Sequence, residues 1–396
     1  MLENKIKHEV DKIYDEMVSW RRTLHQYPEL SFKEYETSEF IFNKLNEFGV
    51  DKFERLSETA VVALINGAKG DGKCIAIRAD IDALPVEEKT DYEFASKNPN
   101  KMHACGHDGH TSMLLGTSKI LTENRDLFKG SVKVIFQHGE ELFPGGAVSL
   151  VEQGVMENPK VDAIICAHIV PDKDSGAIRI KSGDVSIGCD LVNITITGQS
   201  GHGSRPHEGK DAITAASQYI LAIQQIVSRY TNPKEQVVLS VGTLKAGTAV
   251  NIIADKAELS LNLRTFDLKT LEIAKQKLFD IAKGLEIATG CKFDLDYVVG
   301  YQGVRNNQNI VDLVAESTKK YLGEDAVQIG DFDLGSDDFS YYMNATNTPG
   351  AYYFLLSGYE TESPYPNHHG RFTWKEEAMK TGVVSYLASA LEFLNN

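Results

Sequence analysis

Cysteine is scarce: five in 396 residues, an odd number scattered at positions 74, 105, 166, 189 and 291. That excludes a disulfide framework and makes a reducing cytoplasm the expected compartment. Basic residues are the scarcer charge, 41 Lys and Arg against 56 Asp and Glu, for a formal −15 at pH 7. Binding a polyanion relies on clustered Lys and Arg that release counterions, and no basic run occurs, so nucleic acid is not an expected partner. No stretch approaches the roughly 18 uninterrupted apolar residues of a membrane span. The N-terminal MLENKIKHEVDKIYDEMVSW is charged and amphipathic, without the apolar core of a signal peptide. Internal repeats and low-complexity linkers are missing too. What is present, 42% hydrophobic and 24% charged, is ordinary globular composition. The length predicts two or three domains at roughly 100–200 residues each.

Ile6, Val10, Ile13, Met17 and Trp20 recur at three-to-four spacing, which predicts a helix with one buried face. A second helix is expected from about Lys33 to Phe48, stopped by Gly49. Short apolar runs follow (AVVALI, CIAIR, VKVIF, VDAIICA), alternating with helical stretches near Gly109 to Leu121 and Gly146 to Gln153. These read as buried strands of an α/β fold, a mostly parallel mixed sheet flanked by helices. From about Asp190 the rhythm becomes LVNITIT, a helix from Asp211 to Ser228, VVLSVGTL, AELSLNLR, a helix from Leu268 to Ala288, and KFDLDYVV. That β-α-β-β-α-β order predicts a ferredoxin-like α+β sandwich. After Gly300 the α/β rhythm resumes, with a helix near Ile310 to Tyr321, the strand AYYFLL and a closing helix from Lys375. The expected organisation is a discontinuous α/β domain over 1–186 and 300–396, interrupted by an inserted domain over 187–299.

Polar clusters follow the predicted strands: IDALP after CIAIR, QHGEE after VKVIF, and His168 after VDAIICA. Ligands of open α/β sheets bind outside the carboxyl ends of the strands. MHACGHDGH supplies His103, Cys105, His107, Asp108 and His110 within a few positions, and its glycines let the backbone turn so that alternate side chains converge. Thiolate, imidazole and carboxylate form a zinc-type ligand set. On a divalent ion the Cys105 thiol is deprotonated and acts as a ligand rather than a nucleophile. The competing reading is a helix N-terminus capped by Asp108 and Thr111. Three histidines are too many for direct ligation, and His103 and His110 are assigned to packing or support. Adjacent Glu140 and Glu141 can face different ways, one binding metal and the other moving a proton, which is what metal-assisted hydrolysis requires. A solvated acidic loop end is the plainer alternative. His25 reads as a structural hydrogen-bonding residue, and Cys74, Cys166, Cys189 and Cys291 as small buried apolar groups.

From about Trp20 to Thr381 the segments RRTLHQYPELSFKEYET, IRADIDALPVEE, MHACGHDGHTSMLLG, QHGEE, SGHGSRPH, NIIADKAELSLNLRTF and GSDDFSYY occur in this order. Together they resemble the M20 metallopeptidase family, in its amidohydrolase branch of N-acyl-amino-acid, hippurate and indoleacetyl-amino-acid hydrolases. The resemblance implies two divalent ions, Zn or Mn with Ni or Co also open, held by Cys105, His107, Glu141, His168 and His368, with the Cys105 position commonly bridging. It implies Glu140 as general base, Asp82 as the acid that orients a ligating imidazole, and His202 as a group that meets the oxyanion, in cis or across a dimer. Asn251 and Arg264 match positions linked to the substrate carboxylate, which suits arginine's planar fork. His369 leaves the fifth ligand ambiguous by one residue, and His368 is chosen by its distance from Phe372. Two departures stand out: QHGEE where the family often has PAEE, which puts His138 at the pocket edge, and GSDDF where it often has GSEDF, which shortens Asp337 by one methylene. The implied activity is hydrolysis of N-acyl amino acids by a homodimer or higher homo-oligomer whose inserted domain is a lid and dimerisation module. The alternatives are a dipeptidase or carboxypeptidase of the same family, a thiol hydrolase using Cys105 with His107 or His202 as base, and a non-catalytic binder of acyl-amino acids or short peptides.

Overall fold

The apolar spacing at the N-terminus forms α1 (Leu2–Gln26), which buries Ile6, Val10, Ile13, Met17, Trp20 and Leu24. The structure, a computed structural model, describes residues 2–331, 335–360 and 364–396. After α2 (Tyr35–Glu47) come β1 (Lys52–Leu56), β2 (Ala60–Asn66), β3 (Cys74–Asp80), α3 (His107–Glu123), β4 (Ser131–Gln137), α4 (Gly146–Glu152), β5 (Ala163–Val170), β6 (Ser175–Ile180) and β7 (Gly183–Asp184). The next stretch carries β8 (Gly188–Thr197), β9 (Gly201–His202), α5 (Ala212–Gln225), β10 (Val237–Ala246), β11 (Ile252–Ile253), β12 (Lys256–Thr265), α6 (Leu268–Thr289) and β13 (Lys292–Tyr301). The chain closes with β14 (Arg305–Asn306), α7 (Gln308–Leu322), β15 (Val327–Ile329), α8 (Ser340–Asn344), β16 (Gly350–Ser357) and α9 (Ala378–Asn395). Two units result: unit 1 is Met1–Val185, Val304–Asp333 and Asp337–Asn396, and unit 2 is Ser186–Gly303 with Leu334–Ser336.

Unit 1 is built on an eight-stranded sheet in the order β1-β2-β4-β3-β5-β16-β6-β15. Its centre, β4-β3-β5-β16, is parallel, while β1, β2 and the β16–β6 pair run antiparallel. Every residue of β3 and β4 is buried, as a sheet covered on both faces requires. Ile75, Ile77 and Ala79 pack into one core with Trp20, Met113 and Tyr386, while Cys74 and Ala76 pack into the other with Leu150, Val161 and Phe339. This alternation is the period-two geometry of a strand. All five cysteines are buried and free.

Unit 2 shows the one-sided pattern. Val192, Ile194 and Ile196 of β8 and Ala257, Leu259, Leu261 and Leu263 of β12 face Tyr219 and Ile223 of α5 and Ala274 and Leu278 of α6. The four strands are antiparallel in the order β10-β12-β8-β13, the arrangement of a split βαβ sandwich. Asp211 and Asp267 cap α5 and α6 by accepting backbone N–H bonds. Among the described residues no helix is long and apolar enough to cross a membrane.

Candidate metal centre

Three parallel strands of unit 1 deliver polar side chains at their carboxyl ends. Asp82 follows β3, Glu140 and Glu141 follow β4, and His168 lies near the end of β5. Cys105 precedes α3, and His107 is the first residue of that helix. Between them Gly106 adopts a left-handed φ of 90°, which turns the chain tightly enough for both side chains to face inward. Gly139, just before Glu140, also has a positive φ of 62°, and a Cβ there would lie 2.6 Å from the Phe32 ring. His368 enters from the connection between β16 and α9, with a φ of 69° and its N–H donating to the Ala104 carbonyl at 2.7 Å.

The ligating atoms of Cys105, His107 and His168 all lie within 4.8 Å of one another, as do those of Cys105, Glu141 and His368. Cys105 therefore belongs to both groups. Its Sγ is 3.5 Å from His168 Nε2, and Glu141 Oε1 is 3.3 Å from His368 Nε2 and 3.8 Å from His107 Nε2. Each central imidazole is oriented from behind. His107 Nδ1 donates to Asp82, with 3.0 Å to the carbonyl and 3.3 Å to Oδ1, which aims Nε2 at the cluster. Asp82 is itself fixed, its Oδ2 accepting from Ser31 Oγ at 2.7 Å and the Glu141 N–H at 2.9 Å. His168 Nδ1 donates to the Ile169 carbonyl at 2.9 Å.

These residues fit divalent metal ions. His107 Nε2 is buried without a hydrogen-bond partner, with Asp80 and Glu141 no nearer than 3.7 and 3.8 Å, which is costly unless a further group meets it. Negative charge is also in surplus. Cys105 and then Glu141 push His368 up to about 10, and burial followed by Asp337, Glu141 and Asp338 raises the Glu140 carboxyl well above its ordinary value. Protons are held where a cation would otherwise balance the acids.

Residues 76–392 match the profile of peptidase family M20/M25/M40. The chain belongs to this family. It is similar to the N-acyl-L-amino acid amidohydrolase of Geobacillus stearothermophilus, 43% identical over 306 residues, 77% of this chain and 82% of that protein. Hippurate hydrolase of Campylobacter jejuni is 34% identical over 387 residues, 98% of either chain. Among solved structures, a dinuclear metal-binding peptidase of the M20 family from Bacillus subtilis superposes with a TM-score of 0.81 at 32% identity, covering 97% of this chain and 99% of that one. The M20 chain is thus a hydrolase acting on amide bonds.

The remaining histidines of this M20 chain have other surroundings. His369 stacks on Tyr365 at 4.3 Å and accepts the Arg371 N–H, so of the adjacent pair it is His368 that reaches Glu141. His25 bonds Asp108 at 2.8 Å and Glu88 at 3.1 Å. Asp108 accepts the Gly109 N–H in the first turn of α3 at 2.9 Å with Oδ1, while its Oδ2 turns inward to Arg21 Nε at 2.9 Å. His103 is buried with both nitrogens unpartnered, and burial lowers it to about 4, so the ring is neutral. His138 packs edge-on against Phe32 at 5.2 Å, with its Nδ1 buried and unpartnered.

Three acids and an arginine beside the centre were not singled out from the sequence for any role there. Arg78, fully buried in β3, pairs with Asp80 at 2.7 Å, Asp338 at 2.8 Å and Asp337 at 3.2 Å. Asp337 and Asp338 in turn lie within ligand distance of Glu140. The signal for this network was an arginine and an aspartate inside an otherwise apolar strand, since a buried charge needs partners.

His202, Asn251 and Arg264 belong to unit 2. The β9–β11 ladder pairs Ile252 with His202, and the Asn251 carbonyl accepts the Gly203 N–H at 2.9 Å, so His202 and Asn251 are neighbours. Both are exposed. Arg264, on β12, makes long contacts of 3.4 Å to Asn262 and Ser336.

Proposed function

We propose that this M20 hydrolase cleaves the amide bond of N-acyl amino acids. The observation that carries the reading is the placement of Glu140: a buried carboxyl within ligand distance of His107 and Glu141, on the residue next to a candidate ligand. Bound at the paired donor sets, two divalent ions supply Lewis acidity to a carbonyl and to water; Zn²⁺ or Mn²⁺ suits one thiolate, imidazoles and a carboxylate, with Ni²⁺ or Co²⁺ also compatible. Cys105, His107, Glu141, His168 and His368 are the proposed ligands, and Asp82 fixes the His107 tautomer. Glu140 takes a proton from the attacking water and returns it to the leaving nitrogen, so the C–O bond forms and the C–N bond breaks without net proton loss.

His202 is assigned the oxyanion. Its Nδ1 accepts from the Ser204 N–H at 3.1 Å, which leaves the proton on Nε2 as a donor. Asn251 and Arg264 are assigned the substrate carboxylate. Unit 2 as lid and dimerisation module, a homodimer in the cytoplasm, and His202 acting in cis or across that dimer complete the proposal. The five free cysteines support the compartment.

The test is a turnover screen of N-acetyl and N-benzoyl amino acids beside unblocked dipeptides, with metal content measured on the same sample. Release of free amino acid that disappears with chelator and returns with added ion is the expected result. Faster cleavage of unblocked peptides would move the assignment to a peptidase, and loaded protein that binds but never cleaves would make it a binding protein. Activity that survives chelation but not alkylation would restore Cys105 as a nucleophile.

A further inference from the structure

One turn into α3, His110 is buried and both of its ring nitrogens are engaged. Nε2 lies 2.8 Å from the backbone nitrogen of Ile169, which can only donate, so Nε2 carries no proton. The ring proton is therefore on Nδ1, 2.5 Å from Asp80 Oδ1. Asp80 is held in its turn: Oδ2 accepts from Arg78 at 2.7 Å, and its carbonyl accepts from Thr111 Oγ1 at 3.2 Å.

The position of Ile169 makes this contact informative. The ladder from β3 to β5 ends at the Arg78–Cys166 pair. Beyond it, two amides of β5 on either side of His168 bond to side chains: the Ala167 N–H donates to Tyr386 Oη at 2.8 Å, and the Ile169 N–H donates to His110. The ring of His110 also stands 4.7 Å from that of His168. The backbone that carries His168 is thus gripped before and after it by two buried side chains, one from α9 and one from α3.

We propose that His110, fixed by Asp80, and Tyr386 are positioning residues that bracket His168 and set the affinity of the metal position it completes. This rests on the reading of His168 as a ligand. Neither residue touches the ion or the substrate; both act through the main chain of β5.

Isosteric variants separate the two ends of the imidazole. In His110→Gln the side-chain oxygen can take the place of Nε2 and accept the Ile169 N–H. In His110→Asn the side chain reaches only to Asp80 and leaves that amide unpaired. Each apo protein is titrated with Zn²⁺ against a chromophoric chelator, and with Co²⁺ to record the visible spectrum, beside His168→Ala as reference. The expected result is that His168→Ala loses one ion, that His110→Asn binds that same ion about 10–100-fold more weakly with a shifted Co²⁺ band, and that His110→Gln recovers most of the loss. Tyr386→Phe is expected to weaken the same ion by a smaller factor, and it carries the test if His110→Asn does not fold. Undiminished affinity in His110→Asn or Tyr386→Phe, or equal weakening of both ions in both His110 variants, overturns the bracket. If His168→Ala retains both ions, it is the ligand assignment that fails.

Discussion

The two units treat their reactive side chains in opposite ways. In unit 1 they are mostly buried at the end of a sheet covered on both faces, and the far side of each central imidazole is tied down, His107 by Asp82 and His168 by its neighbouring carbonyl. In unit 2 the sheet is packed on one face, and His202 and Asn251 are exposed, joined by a two-residue ladder and a local serine. The difference follows from the tasks assigned. A dication is held tightly only when lone pairs are aimed in advance, whereas a group that meets a substrate must keep a donor unspent until the substrate arrives.

The largest expected effect falls on unit 1. Dialysis against chelator should abolish turnover and lower the thermal midpoint, since a ligand bound only by the native state stabilises it, and readdition of Zn²⁺, Mn²⁺ or Co²⁺ should restore both. An unchanged melting curve after metal removal would mean that the buried cluster does not hold ions. Next is Glu140→Gln, expected to keep the metal content while losing about 10²–10⁴-fold in kcat. Native turnover from a loaded Gln variant would remove Glu140 from proton transfer. His202→Ala should lower kcat by roughly 10²–10³-fold, the cost of one oxyanion donor. Being a surface change, it should leave stability within about 0.5 kcal/mol. A matching loss of metal or of stability would break the contrast between the units. The smallest is Arg264→Lys, which replaces a planar fork by a point charge and should raise KM about tenfold with kcat little altered. A fall in kcat alone would instead place Arg264 in the chemical step.

Fold class was legible because both sheets announce themselves. CIAIR and VKVIF are short, mostly apolar runs, each with a single basic residue, that become β3 and β4, and LVNITIT alternates because β8 has one wet face. What escaped depends on distant partners. β6 and β15 are short and partly polar, and they are strands only because β16, far along the chain, supplies a neighbour for β6. α3 begins two residues before the expected Gly109, since a left-handed Gly106 is its N-cap. The candidate ligands could be named by residue type and motif. Asp82 could be named with them, but the supports distant in sequence could not: Asp338 lies 260 positions from the Arg78 it neutralises, and Tyr386 lies 219 positions from the amide it holds. The short Asp337, one methylene less than the family's usual Glu, pairs with Arg78 at 3.2 Å.

The place of β16 between β5 and β6 imposes an order on synthesis. β5 ends at Val170 and β16 begins at Gly350, so the ribosome must deliver all of unit 2 before the strand that joins them exists. At about 5–20 residues per second that interval lasts roughly 10–40 s. Throughout it β5 and β6 each present at least one unpaired edge, and His368 has yet to emerge. Unit 2 can fold on its own schedule, but a premature stop anywhere before Gly350 would leave an open sheet that is prone to pair with another chain.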